Sequence, residues 1–204
     1  MKSRRAKQSG PPRAAAYPGR VRIIAGKWRG RYLDVTDMPG LRPTPNRVRE
    51  TLFNWLTPFL PGAACLDLFA GSGALCIESL SRGAGHAVMV ERQRPAADLL
   101  RRNLEQLGAD AAEVVEADAV DYLAGAVSPM DIIFVDPPFA SDDLIPVCMR
   151  TIAERGWLKP GALVYVEAPA TLAPLPLPPR WETVKHKATG QVGYHLLRAG
   201  PVVP

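Results

Sequence analysis

The sequence predicts an α/β fold built on a seven-stranded, mostly parallel sheet that ends in an antiparallel hairpin. Short apolar runs of strand length alternate with segments of helical character between residues 63 and 167, which is typical of βαβ units. Two more strand-like runs, 181–187 and 191–198, are joined by Ala188-Thr189-Gly190 and predict the terminal hairpin. With 204 residues and 47% apolar residues, the chain is long enough to bury one such core.

The first βα unit contains a glycine turn. An apolar run over residues 63–69 is broken by Gly71-Ser72-Gly73, and residues 74–82 have helical character. Glycines at such a turn let the backbone approach a ligand closely, as in dinucleotide-binding folds. The third glycine of the G-x-G-x-x-G motif is missing, because Cys76 occupies its place. The Walker signature is also absent.

Acidic residues follow three successive strands. Asp67 lies at the tip of the first strand, Glu91 ends the strand that begins at residue 86, and Asp118 follows a strand over 113–116. We expect Asp67 to reach an ammonium group, Glu91 to accept from ribose hydroxyls and Asp118 to lie beside an adenine edge. The alternatives are a turn or capping carboxylate for Asp67 and a simple loop acid for Asp118. The predicted cofactor-binding residues are Asp67, Phe69, Ala70, Gly71, Ser72, Gly73, Glu91, Asp118 and Ala119.

A second turn, Asp136-Pro137-Pro138-Phe139, directly follows the apolar run 132–135. The Asp136 carboxylate and a backbone carbonyl can accept both N–H bonds of a planar exocyclic amine and orient its lone pair. The prolines stiffen the turn, and Phe139 offers a flat face on which a nucleobase can stack. We therefore predict these four residues as the catalytic acceptor site. The alternative is a polar turn that closes a buried strand.

Charge divides the chain into unlike parts. Residues 1–60 carry 13 Lys and Arg against 3 Asp and Glu, whereas residues 61–204 carry 12 against 17. A basic extension on an acidic catalytic part suits a polyanionic substrate. We predict a basic, disordered tail over 1–20, an RNA-binding extension over 21–60 and a catalytic domain over 61–200; the alternative for the tail is an aid to solubility.

The extension predicts a small hairpin followed by a helix. Residues 21–24 and 31–33 flank a basic, aromatic tip, Gly26-Lys27-Trp28-Arg29-Gly30, which we expect to clasp RNA. Thr44 and Pro45 suit the start of a helix. That helix carries an apolar stripe, with arginines off it; the stripe is Val48, Leu52, Trp55, Leu56 and Phe59. The predicted RNA-binding residues are Arg22, Lys27, Arg29, Arg42, Arg47 and Arg49, with ordinary solvated arginines as the alternative.

Several other classes of protein are not indicated. The three cysteines lack C-x-x-C spacing and an even count, so neither disulfides nor zinc is expected. The three histidines form no ligand pattern, and we predict no metal. No secretory h-region and no apolar run of spanning length is present. We expect a cytoplasmic protein and see nothing that demands more than a monomer.

Together these motifs resemble the RsmD-type enzymes, which methylate the exocyclic N2 amine of a guanine in 16S ribosomal RNA. The resemblance runs from Val21 to Arg198, and its most specific segments are residues 22–26, 47–56, 66–75 and 136–139. It implies a Rossmann-like seven-stranded methyltransferase fold and S-adenosylmethionine as the methyl donor. It also implies Glu91 as a ribose ligand, the Gly71–Gly73 turn as a contact of the methionine side, and a small-subunit particle or late intermediate as the substrate.

The chain departs from the family pattern at Pro45-Asn46, where Thr-Asp is usual, and at Cys76, where glycine is common. Neither change removes a chemical group from the predicted site. Three alternatives stay open at this point: an amino methyltransferase acting on another RNA or on DNA (adenine N6 or cytosine N4), a nicotinamide dehydrogenase, and a non-catalytic RNA-binding module. The dehydrogenase would need the missing third glycine, and the RNA-binding module has no need for strands that end in acids.

Overall fold

The computed structural model describes residues 19–35, 46–138 and 143–200. Nine strands lie in these ranges: β1 (Arg20–Arg22), β2 (Tyr32–Asp34), β3 (Ala64–Asp67), β4 (His86–Glu91), β5 (Ala112–Glu116), β6 (Met130–Val135), β7 (Leu158–Pro169), β8 (Trp181–Thr189) and β9 (Val192–Ala199). The α-helices of these ranges are α1 (Asn46–Leu56), α2 (Ala74–Ser81), α3 (Arg94–Leu107), α4 (Ala119–Ala124) and α5 (Leu144–Arg155). Short 3₁₀ turns span Thr57–Phe59 and Ala170–Leu172.

The main sheet has seven strands in the order β5-β4-β3-β6-β7-β9-β8. The pairs from β5 to β7 are parallel, and β9 is antiparallel to both β7 and β8. The chain starts in the middle, builds outward through β4 and β5, and then returns to place β6 on the other side of β3. This reversal creates a switch point between β3 and β6, where doubly wound folds bind their ligands. The predicted fold class is confirmed.

Apolar side chains cover both faces of the sheet. One face packs against α1, α2, α3 and the β1–β2 hairpin, with Cys65, Met89, Phe134 and Tyr165 among its buried residues. The other packs against α4 and α5. Because successive side chains of a strand point to opposite faces, the odd-numbered residues of β3 and β4 lie on the face that packs against α1, α2 and α3. The acids at the ends of these two strands, Asp67 and Glu91, share that face.

The N-terminal extension is tied to the sheet by a buried carboxylate on α2. Glu78 is 1% exposed and accepts from the backbone N–H groups of Ile24, at 2.7 Å, and Ala25, at 2.9 Å. Arg82 Nε donates to Glu78 Oε1 at 2.7 Å, and Arg49 Nη1 lies 3.9 Å from Oε2. Because a buried charge requires partners, Glu78 fixes hairpin and helix α1 together against the catalytic core.

The hairpin tip docks on the far end of α2. Lys27 N–H donates to the Ser81 carbonyl at 2.7 Å, and Trp28 N–H donates to the Ser81 hydroxyl at 3.0 Å. At Gly26, with φ +82°, a β-carbon would lie 1.7 Å from the Ser81 carbonyl oxygen. An eight-residue helix is about 12 Å long, so the tip lies at the amino edge of the sheet, away from the acids. Trp28, the aromatic residue of the tip predicted to clasp RNA, is buried.

Local boundaries differ from the sequence prediction in three places. The sequence predicts a helix over residues 98–107, but helix α3 begins at Arg94, four residues earlier, because Pro95 suits the first turn. Helix α4 was not predicted; it is short, and Asp118 caps it. The final hairpin turns at residues 190–191, with Gly190 at φ +62°. The apolar helical stripe is largely confirmed, although Phe59 is 40% exposed.

Some predictions lie outside the described residues. These are residues 1–18 of the tail predicted over 1–20, the helix start at Thr44 and Pro45, the proposed phosphate contact of Arg42 and the stacking role of Phe139. Among the residues that the structure does describe, no helix has both the length and the apolar character needed to cross a bilayer.

Candidate active site

The structure brings the predicted acids to one edge of the sheet. Asp67 and Glu91 are the last residues of β3 and β4. Asp118 lies two residues beyond β5, and Asp136 directly follows β6. Because these four strands are parallel neighbours, their carboxyl ends form one continuous acidic edge. The sequence motifs that were far apart thus converge on the switch point of the fold.

The glycine turn between β3 and α2 needs its glycines. Gly73 has φ +74°, and a β-carbon there would lie 2.5 Å from Leu100 Cδ2 and 3.0 Å from Ile77 Cδ1. Gly71 also has positive φ, +51°, and its N–H donates to Glu91 Oε2 at 2.9 Å. The turn is therefore held against β4 by a carboxylate and against α3 by close packing.

Replacing Gly73 with alanine should destabilise the protein and weaken binding of the ligand in the turn. The substitution combines an unfavourable φ with a close contact to Leu100, and we expect a loss of about 1 to 3 kcal/mol in unfolding free energy. Urea denaturation measures it. Gly108, with φ +62° and open space around its β-carbon position, is the matched control: Gly108→Ala should cost only the backbone strain. Equal losses for the two variants would contradict the packing argument.

Glu91 and Asp118 already have backbone partners. Besides the Gly71 contact, Glu91 Oε1 accepts from Gln93 N–H at 2.7 Å. Asp118 Oδ1 accepts from Val120 N–H at 2.9 Å and caps α4. Each carboxylate oxygen has a second lone pair, so both residues keep acceptor capacity toward a ligand. Asp118 is therefore a helix-capping residue, and its contact with an adenine stays a prediction.

Asp67 is a buried acid of the site whose pKa is strongly raised. It is 2% exposed, and its Oδ1 accepts from Phe69 N–H at 3.1 Å. Burial, together with the nearby carboxylates of Glu91 and Glu167, raises the pKa of Asp67 to about 7, and the hydrogen bond from Phe69 N–H opposes part of this rise. A carboxylate that burial and like charges destabilise favours a cationic ligand beside it. The site electrostatics therefore match an ammonium or sulfonium group.

The Asp-Pro-Pro turn lies next to the glycine turn. Leu68 N–H donates to the Phe134 carbonyl at 3.2 Å, and Asp67 is in register with Phe134. Asp136 therefore follows β6 one strand away from the glycine turn, a distance of about 4.8 Å between strand axes. Asp136 is half-buried, Pro137 is buried and Pro138 is exposed. A ligand held by one turn would be adjacent to a ligand held by the other.

Glu167 is a further acid of this edge that was not predicted from the sequence. It lies near the end of β7. Val166 of β7 pairs with Val135 of β6, and Glu167 and Asp136 are the next residues on these two strands. Glu167 is 6% exposed, and the Tyr165 hydroxyl donates to its Oε1 at 2.7 Å. The signal was available, since the predicted fifth strand ended in this acid just as other strands ended in theirs.

The predicted RNA-binding residues fall into two groups. Arg22, Lys27, Arg29 and Arg47 are exposed, as phosphate contacts require. Arg49 is a correction: it is 1% exposed, and its Nη2 donates to the Arg22 carbonyl at 2.8 Å and to Asn46 Oδ1 at 2.6 Å. Its guanidinium holds the extension together and does not reach solvent.

The thiols take no part in the site. All three cysteines are buried, and burial raises the pKa of both Cys65 and Cys148 to about 12. Cys76, in place of the third glycine, packs between α2 and β4, with Sγ 3.6 Å from the Val88 carbonyl. A thiolate nucleophile is therefore not available at neutral pH. Among the described residues, no three His, Cys, Asp or Glu side chains are grouped to hold a metal ion, and the absence of a metal stays a prediction.

Known relatives share nearly the whole fold. A family model described as Conserved hypothetical protein 95 matches residues 21–198. Ribosomal RNA small subunit methyltransferase D of Escherichia coli K12 is 47% identical over 178 residues, which cover 87% of this chain and 89% of that protein. The chain belongs to this RsmD-type family. The protein of the same name from Haemophilus influenzae is 44% identical over 182 residues, covering 87% of this chain and 93% of that protein.

Solved structures agree with this assignment. The RsmD-type fold matches yhhF of Escherichia coli, described as a candidate methyltransferase, with TM-score 0.82 and 46% identity over 89% of this chain and 99% of that one. A more distant methyltransferase, SMU.776, solved as a complex with SAH, has TM-score 0.66 and 16% identity over 91% of this chain and 57% of that one. At that identity the second match supports the fold alone. Family membership makes the chain a methyltransferase, so the dehydrogenase and the non-catalytic module are wrong.

Proposed function

We propose that this RsmD-type protein transfers the methyl group of S-adenosylmethionine to the exocyclic N2 amine of one guanine in 16S ribosomal RNA. The observation that carries the proposal is the adjacency of the glycine turn and the Asp-Pro-Pro turn at the switch point between β3 and β6. The names of the relatives supply the RNA, and they favour it over DNA. The chain uses S-adenosylmethionine as its donor, in keeping with its membership of the family.

The residues of the acidic edge fit this donor. S-adenosylmethionine carries positive charge on its sulfonium and ammonium groups, and the buried carboxylates of Asp67 and Glu91 favour cationic ligands. Asp67 would hold the ammonium group, and the N–H groups of the Gly71–Gly73 turn would lie against the methionine carboxylate. Glu91 would accept from the ribose hydroxyls. Asp118 and Ala119 would lie beside the adenine.

The acceptor turn orients the amine. When bound, S-adenosylmethionine supplies an electrophilic methyl group: the new N–C bond forms as the S–C bond breaks, and its electron pair stays on sulfur. The Asp136 carboxylate and the Pro137 carbonyl accept the two N–H bonds of guanine N2, which aims the nitrogen lone pair at the methyl group. The proton that N2 loses passes to Asp136, which is partly exposed and can release it to water.

The guanine must leave its stack to reach this edge. Extrusion costs a few kcal/mol, and stacking on Phe139 would recover about 1 to 3 kcal/mol of it. Arg22 and Arg47 are exposed and would contribute phosphate contacts. Lys27 and Arg29 lie at the opposite edge of the sheet and would contact RNA away from the target nucleotide. The substrate is a small-subunit particle or late assembly intermediate in the cytoplasm, and the protein acts as a monomer.

The test is methyl transfer to a defined particle. Purified protein is incubated with methyl-labelled S-adenosylmethionine and small-subunit particles that lack guanine-N2 methylation, and the labelled nucleotide is mapped. We expect label on the N2 amine of one 16S guanine, with naked 16S RNA and duplex DNA as comparison substrates. Label on DNA or on another RNA, with none on the particle, would overturn the substrate and leave the methyltransferase chemistry standing.

A further inference from the structure

We infer that Glu167 is the residue that selects guanine, by accepting the N1–H bond of the base whose N2 amine Asp136 holds. This inference rests on the proposed function, because it concerns the same bound base. Guanine presents three donors along this edge, one at N1 and two at N2. Asp136 and the Pro137 carbonyl account for the two on N2, and the N1–H bond requires a third acceptor beside them.

The position of Glu167 meets this requirement. Since β6 and β7 are paired in parallel through Val135 and Val166, Asp136 and Glu167 occupy the next places on adjacent strands, about 4.8 Å apart between strand axes. Both continue the face of the sheet that carries Phe134 and Tyr165. Guanine N1 and N2 are neighbouring positions of one ring edge, so two acceptors at this spacing can serve them together.

Tyr165 fixes the orientation of this carboxylate. Its hydroxyl donates to Glu167 Oε1 at 2.7 Å, and its ring packs edge-on against Phe134, with centroids 6.2 Å apart. Burial raises the pKa of the Tyr165 hydroxyl well above its ordinary value, and the nearby carboxylates of Glu167 and Asp136 raise it further. The phenol thus stays protonated and keeps donating. This contact holds one oxygen of Glu167 in place, and each oxygen of a carboxylate can accept more than one hydrogen bond.

Selectivity follows from the chemistry of the edge. A carboxylate accepts hydrogen bonds and donates none. Guanine offers N1–H, whereas adenine and 2-aminopurine offer an N1 lone pair that a carboxylate repels. 2-Aminopurine keeps the C2 amine that would be methylated, so it reports on the N1 contact without removing the reacting group. A site that hydrogen-bonds a substrate group strongly rejects an analogue lacking it.

The experiment compares guanine with 2-aminopurine at the mapped target position of reconstituted particles, using wild type and Glu167→Gln. Glutamine keeps the size of the side chain, and its amide can either accept from N1–H or donate to an N1 lone pair. We expect the preference for guanine, measured as the ratio of kcat/KM values, to fall by at least about tenfold in the variant. Glu182→Gln, an exposed change on β8, should leave the ratio as in wild type.

The outcomes separate the alternatives. If Glu167→Gln lowers both rates by the same factor, Glu167 only supports the fold and the inference is wrong. Tyr165→Phe provides a second variant: it removes only the hydroxyl that orients the carboxylate, and we expect a smaller fall of the same ratio. If wild type itself leaves guanine unmethylated, the proposed function fails and the inference falls with it.

Discussion

Replacing Asp136 with alanine should lower the rate of methyl transfer by about 10² to 10³-fold while donor affinity stays within about threefold of wild type. The carboxylate accepts an N–H bond whose hydrogen becomes more acidic as positive charge develops on N2, so its contact strengthens toward the transition state. Asp136 follows β6, whereas the predicted donor contacts lie at the ends of β3, β4 and β5. Single-turnover rates at saturating donor, with donor binding measured by calorimetry, give both quantities.

Two further variants serve as an intermediate case and a control for this test. Asp136→Asn keeps one acceptor oxygen and loses the charge, so its rate should lie between those of wild type and the alanine variant. Asp110→Ala removes an exposed acid from the turn that precedes β5, at the amino edge of the sheet, and should leave the rate unchanged. An Asp136→Ala rate within about threefold of wild type would eliminate the amine-orienting role.

The acids of the acidic edge could be predicted because each is identified by the residues next to it in the sequence. An apolar run of strand length followed by a carboxylate identifies the end of a strand, and parallel strands bring such ends to one edge. Asp67, Glu91 and Asp136 lie at the ends of their strands, as this signal predicts. The same signal could have located Glu167, but the partnership of Glu167 with Asp136 depends on the order of β6 and β7 in the sheet, which no local pattern gives.

The errors come from contacts across long stretches of chain. From the sequence, Arg49 resembles a solvent-exposed arginine on a helix. It is buried because it contacts Glu78, 29 residues later in the chain, and the Arg22 carbonyl. Trp28 sits between two basic residues that suggest an exposed loop. Its burial depends on the docking of Gly26 and Lys27 against Ser81. Basic side chains in an extension thus need a tertiary contact map before any of them is assigned to a phosphate.

Replacing Asp67 with asparagine should stabilise the ligand-free protein and weaken donor binding by at least about tenfold. The asparagine Oδ1 can still accept from Phe69 N–H, so the local backbone keeps its partner. What is lost is a buried charge that destabilises the empty site and attracts the donor's ammonium group. The unfolding free energy of the variant therefore reports how much the buried charge destabilises the ligand-free protein, and its donor affinity reports how much the same charge strengthens binding.

The stability difference should depend on pH. The pKa of Asp67 is raised from 3.8 to about 7 in the folded protein, so the folded state holds this proton more tightly than the unfolded chain does. Binding of this proton stabilises the folded state. The stabilisation is complete below pH 3.8 and is lost as the pH rises through about 7. Relative to Asp67→Asn, the wild type should lose about 2 kcal/mol of unfolding free energy between pH 5 and pH 8. Urea unfolding of both proteins across this range measures the difference, with Asp110→Asn as the exposed control; a difference independent of pH would mean that Asp67 titrates as an ordinary carboxylate.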